Sequence, residues 1–97
     1  MPRYKLTLYI TGDTPRAQAA IANLRRLCND QLRDYEVVVV DVLERPDLAE
    51  EHKILATPTL VKHLPPPLRR IIGDLSNTEQ VLAGLNLSTI PDDEEAS

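Results

Sequence analysis

The side chains able to do covalent or metal chemistry are few: one cysteine, Cys28, and two histidines, His52 and His63, in 97 residues. Metal centres draw three or four ligands from recurring short spacings, and these three residues match none of them. A lone thiol excludes an internal disulfide and any dithiol pair. No glycine-rich phosphate loop, paired catalytic carboxylates or nucleophile beside a base stands in the chain, so no catalytic residue, metal or cofactor is expected. Arg25, Arg26 and Arg33 could meet phosphate. Asp30 and Asp34 are interspersed among them, however, and the net charge is −4, which fits a solvated face and argues against nucleic acid as a partner. What remains is a chemistry of contact. Arg69 and Arg70 can fork onto carboxylates of a partner or a neighbouring subunit, or can serve as the charges that keep an edge strand from aggregating. Only one of the two can share a face with Ile71.

Residues 54–75 organise the elements that must position these groups. Two β-rich runs, 59–61 and 68–72, flank Pro65, Pro66 and Pro67, which cannot donate to a strand ladder and so form the connection. Thr57-Pro58 is a separate signal. X-Pro bonds favour trans by only about 0.5–1 kcal/mol and switch slowly. Two readings of this segment stay open: a stiff hairpin, or a slow conformational element.

Upstream, Tyr4 to Ile10 alternates with period two and predicts a strand. Thr14 is placed to cap a helix that has Pro15 at its first position. Ala17, Ala20, Ile21, Leu24, Leu27, Cys28 and Gln31 form its apolar face, and the helix is expected to end near Arg33 and Asp34. Residues 36–42 predict a second strand, and their continuous valines suggest cover on both faces, as in a parallel sheet. Asp47 and Glu50 form a D-x-x-E capping box for a short helix from Leu48 to about Lys53. After the proline hairpin, residues 76–79 form a second capping box, for a last helix carrying Val81, Leu82 and Leu85. Gly84 inside that helix costs about 1 kcal/mol against Ala.

One small domain, residues 1–90, is expected, with 91–97 as an acidic disordered tail. With no Phe or Trp and three Tyr, its core must be aliphatic. No apolar run reaches the roughly 20 residues of a membrane span, and the start lacks a signal-peptide core, so a cytoplasmic protein is expected. The order βαβαββα, with Thr-Pro before the third strand, matches an α/β thioredoxin-like architecture. In that fold a cis-proline commonly faces the active-site turn. Here the turn would be residues 11–14, which carry no thiol, so redox catalysis is not expected.

The run from Ile54 to Leu60, the triple proline after Leu64, and Arg69-Arg70-Ile71-Ile72-Gly73-Asp74-Leu75-Ser76 together resemble the circadian-clock family KaiB. Asp41-Val42-Leu43, Pro46, Leu48-Ala49-Glu50-Glu51 and the stretch from Leu8 to Pro15 extend the similarity. The resemblance implies a non-enzymatic protein that binds the first ATPase ring of the hexameric clock ATPase KaiC, one copy per subunit, in a thioredoxin-like state. It implies competition with the sensory domain of the kinase SasA, and capture of the activator KaiA where one exists. It also implies a metamorphic chain, usually a tetramer at rest, whose second half refolds (βαββααβ in the alternative arrangement). By the same resemblance the KaiC-facing residues are Asp47, Leu48, Glu50, Glu51, Lys53 and Ile54, and Arg69 and Arg70 contact partner or oligomer. The fold-switch elements are Pro58, Pro65, Pro66, Pro67, Gly84 and Asn86. Two other readings are a stand-alone KaiB-like sensory domain and a thiol-less thioredoxin-like protein. The chain departs from the family pattern at Val38 or Val39, where a lysine is expected, and at Asn86, where an aspartate is common. Such departures fit a non-cyanobacterial or paralogous member.

Overall fold

Leu6, Leu8 and Ile10 alternate with Lys5, Thr7 and Tyr9, and in the computed structural model, which describes residues 3–85, this stretch is strand β1 (Tyr4–Ile10). It is followed by α1 (Pro15–Gln31), β2 (Tyr35–Asp41), α2 (Pro46–Glu51), β3 (Thr59–Leu64), β4 (Arg69–Ile72) and α3 (Thr78–Gly84). This is the βαβαββα order expected. The four strands form one sheet in the order β2-β1-β3-β4. β2 runs parallel to β1, with Tyr4 opposite Tyr35 and Ile10 opposite Asp41. β3 is antiparallel to β1, with Leu8 opposite Leu60, and β4 returns antiparallel to β3, with Val61 opposite Arg70.

Period-two alternation gives the sheet two unlike faces. Leu6, Leu8, Ile10 and Leu60 pack against Ala17, Ala20, Leu24, Leu27 and Cys28 of α1 and Val81 of α3 in one aliphatic core. The opposite face holds a smaller cluster of Tyr9, Val40 and Val61, against which half-buried Val42, Leu48 and Ile54 pack. α1 starts as its sequence predicts. The Thr14 hydroxyl accepts from the Ala17 N–H at 3.1 Å, with Pro15 in the first turn.

Four expectations need correction. Among the described residues β2 is an edge strand, and its valines are not all covered: Val38 is 42% and Val39 40% exposed, while Val40 is buried. α1 stops at Gln31 because Leu32 leaves the helix to become buried, its N–H still held by the Cys28 carbonyl at 3.0 Å. α2 begins at Pro46, whose fixed φ suits a first helical position. Asp47 is therefore already inside the first turn and caps nothing; it pairs with Arg45 at 3.1 Å. The last helix is capped by Asn77, which accepts from the Gln80 N–H at 3.0 Å, because the Ser76 N–H is taken by Asp74 Oδ1 in the preceding turn. Asn86 and the acidic tail lie outside the described residues.

Candidate functional site

The loops after β1, after β2 and before β3 meet at one end of the sheet. Gly12 turns the chain at φ 65, and its N–H donates to Asp41 Oδ1 at 3.1 Å; the same oxygen accepts from the Leu43 N–H at 2.9 Å. The Thr11 and Thr57 hydroxyls hydrogen-bond to each other, and the Thr57–Pro58 bond is cis. An open recess of about 230 Å³ lies there, bordered by Thr11, Thr14, Arg16, Thr57 and Pro58. This is where thiol chemistry would be sited in such a fold. The chain's cysteine is elsewhere: Cys28, on the inner face of α1, is fully buried in the core, and burial pushes its thiol up to about 11. A thiol so held is protonated and inert.

The α2 segment brings together most of the residues expected to face a partner. Asp47, Glu50, Glu51 and Lys53 are exposed, while Leu48 and Ile54 are half-buried against the sheet and anchor the segment. The hydrogen bonds from Arg45 hold the Asp47 carboxyl below its ordinary pKa. The helix ends in a Schellman turn, in which the Lys53 N–H bonds to the Glu50 carbonyl at 3.2 Å and the Ile54 N–H to the Ala49 carbonyl at 2.8 Å. Lys53 itself sits at φ 55, a position glycine usually occupies. Arg70 lies on the same face of the sheet. Its guanidinium donates to the carbonyls of His52 and Lys53 at 3.0 and 3.2 Å. Arg69 faces the other way, opposite Lys62 in the ladder, so the two arginines are separated by the sheet.

Beside α2 runs a shallow groove of about 500 Å³ bordered by Lys5, Thr7, Tyr9, Val40, His52 and His63. The His52 ring lies 6.1 Å from Tyr9 and 6.2 Å from His63, centre to centre. His63 Nε2 is 3.0 Å from the Thr7 hydroxyl. Burial, then the neighbouring His52 and Lys5, lowers the His63 pKa. Burial raises that of Tyr9, with Arg70 opposing and Glu51 reinforcing the shift. Among the described residues no three histidine, cysteine, aspartate or glutamate side chains gather as a metal set.

Of the remaining predicted positions, Pro58 is buried, whereas Pro65, Pro66 and Pro67 are exposed between β3 and β4. Gly84 is the last residue of α3, exposed, and a Cβ there would lie 3.1 Å from Ile71 Cδ1. Sequence reasoning missed Lys62. It is fully buried, its Nζ has no hydrogen-bond partner among the described residues, and burial, then the charge of Arg69, lowers its pKa. The signal was present: Lys62 is in phase with Leu60, on the core side of β3.

Comparison with known proteins agrees with this architecture. The solution structure of the N-terminal domain of Synechococcus elongatus SasA superposes with a TM-score of 0.71 at 19% identity, covering 100% of this chain and 91% of that one. Oxidized mitochondrial thioredoxin 3 from Saccharomyces cerevisiae gives a TM-score of 0.71 at 24% identity, covering 89% and 79%. The fold is therefore thioredoxin-like. In sequence, the chain is 60% identical over 88 residues to "Circadian clock protein KaiB3" of Synechocystis sp., covering 90% of this chain and 86% of the relative. It is 55% identical over 85 residues to "Circadian clock oscillator protein KaiB" of Thermosynechococcus vestitus, covering 87% and 79%. Residues 7–87 match the family model described as the KaiB domain. The chain belongs to the KaiB family.

Proposed function

We propose that this chain is a non-enzymatic regulator of a circadian or clock-like timing system, acting by binding the first ATPase ring of a KaiC-like hexameric ATPase through the α2 segment. The exposed Asp47, Glu50, Glu51 and Lys53 supply the contacts, and Leu48 and Ile54 hold them on the sheet. The observation that carries the reading is a conjunction. A chain 60% identical to a circadian clock protein has a described fold that superposes on the N-terminal domain of SasA with a TM-score of 0.71. Two proteins sharing one scaffold can compete for one docking site. Occupying the ring would exclude a SasA-type kinase and, where a KaiA exists, oppose it and promote KaiC dephosphorylation.

The thioredoxin-like arrangement is the binding form in this proposal. The C-terminal half, with Pro58, Pro65, Pro66, Pro67 and Gly84, is the part that rearranges between this form and a resting homo-oligomer, a dimer or tetramer; Asn86 lies outside the described residues. Size-exclusion chromatography with a phosphomimetic KaiC-type hexamer tests the reading. Co-elution that develops over minutes to hours is expected. No complex after prolonged incubation would refute it. A stand-alone sensory domain, the reading favoured by the SasA likeness alone, would bind within the mixing time and remain monomeric.

A further inference from the structure

From its sequence Arg70 is expected to reach outward, either to a partner or a neighbouring subunit or as a charge guarding an edge strand. Its guanidinium turns inward instead, Nη2 to the His52 carbonyl at 3.0 Å and Nη1 to the Lys53 carbonyl at 3.2 Å. Both carbonyls belong to the turn that ends α2. That helix is six residues long and has no buried residue. Helices this short do not persist on their own hydrogen bonds. The turn also places Lys53 at φ 55, which a residue with a Cβ adopts reluctantly. A cation at the negative end of a helix, donating to its last carbonyls, is favourable through both hydrogen bonding and the helix dipole. Arg70 stands on β4, opposite Val61 of β3, and so approaches α2 from a different part of the chain.

We infer that Arg70 is a positioning residue for the partner-facing surface: its fork on the His52 and Lys53 carbonyls fixes the end of α2, so that surface is complete only while β4 is paired with β3. The partner half of this statement rests on the proposed function; the hold on α2 stands without it. Arg69 is the internal control, adjacent in sequence but directed to the opposite face, across from Lys62.

The test compares Arg70→Gln, Arg70→Lys and Arg69→Gln in the full chain, reading amide exchange at Ile54 and affinity for a KaiC-type hexamer. Loss of both donors in R70Q is expected to speed Ile54 exchange about tenfold and to weaken hexamer binding by a similar factor. R70K, whose ammonium reaches one carbonyl at a time, falls between R70Q and wild type; R69Q leaves Ile54 exchange unchanged. Weaker binding by R70Q with Ile54 exchange at the wild-type rate overturns the inference, because Arg70 would then touch the partner itself. No change in either readout overturns it as well. Faster Ile54 exchange in R70Q, with no hexamer binding even by wild type, refutes the proposed function and upholds the hold on α2. Should R70Q also lose protection across β1 and β3, R70K against R69Q decides the question by the same criteria.

Discussion

The two faces of the sheet are built on different terms. Beneath α1 and α3 lies a continuous aliphatic layer in which Leu6, Leu8, Ala20, Leu24, Leu60 and Leu85 are 1% exposed or less. Beneath α2 the buried apolar cluster is small, Tyr9, Val40 and Val61 among the described residues, and around it lie buried Thr7, two histidines and the aliphatic parts of half-buried side chains. Burial of apolar surface stabilises by about 25 cal/mol per Å², so the first face carries the fold. The second face is held by a smaller apolar cluster and a few polar contacts and is cheaper to alter. The partner-facing surface proposed above lies on that side, where remodelling costs the core little.

The largest contrast should come from matched truncations. Leu24→Ala in the α1 core is expected to cost about 2–5 kcal/mol in urea unfolding, and Leu48→Ala under α2 about 1 kcal/mol or less. Similar losses at both sites would break the distinction. Next is thiol reactivity. With its pKa near 11, Cys28 should react with a chromogenic disulfide reagent at pH 8 more than a hundredfold slower than a free thiol. Rapid labelling of the native chain would mean that the α1 face opens.

Lys62 is the exception on the strong face, and replacing it should strengthen the chain. Lys62→Met keeps the length of the stem and removes the unpaired amine, for an expected gain of about 1–3 kcal/mol in the same assay. The pH dependence follows from the sign of the shift. A lysine whose folded pKa lies below its unfolded value binds fewer protons folded than unfolded between the two, so stability rises with pH over that interval. The penalty is full below the folded pKa and relieved on approaching about 10.4, the ordinary lysine value. Wild type should therefore gain on K62M as pH rises through that window; a constant gap would exclude the buried charge as its cause. Thr14→Ala, which removes the α1 cap, should cost about 1 kcal/mol. Smallest of all is Gly84→Ala, at about 0.5 kcal/mol or less in either direction in thermal unfolding. A mid-helix exchange would gain about 1 kcal/mol, but Gly84 ends α3 and the new methyl would press on Ile71 Cδ1 at 3.1 Å.

Much of this was legible from local chemistry. Strict alternation placed β1, and Thr14 with Pro15 placed the start of α1, because both signals lie within a few residues of where they act. The triple proline placed the β3–β4 connection for the same reason. Reading failed where distant residues decide. The valine run could not reveal that β2 has one neighbouring strand among the described residues; that follows from how β3 and β4 add to the far side of β1. Asp47 and Ser76 looked like caps until Pro46 and Asp74 were found to have taken the geometry first. The proposed surface on α2 rests on family resemblance, since exposed acids on a short helix carry no signature of their own. The inward turn of Arg70 had no sequence signal, because its acceptors are backbone carbonyls 17 and 18 residues away.

The exposed valines of β2 carry a further cost. Val38 and Val39 stand on a strand whose outer margin pairs with no other described residue, in a run of four valines without a charge. Such a margin is a template on which another extended chain can add, the route to insoluble assemblies. Glu36 and Asp41 bracket the run as gatekeepers. Neutralising Glu36, whose side chain is exposed, would leave a native fold of similar stability that clouds on concentration, and solubility would then be set by a side chain outside the core.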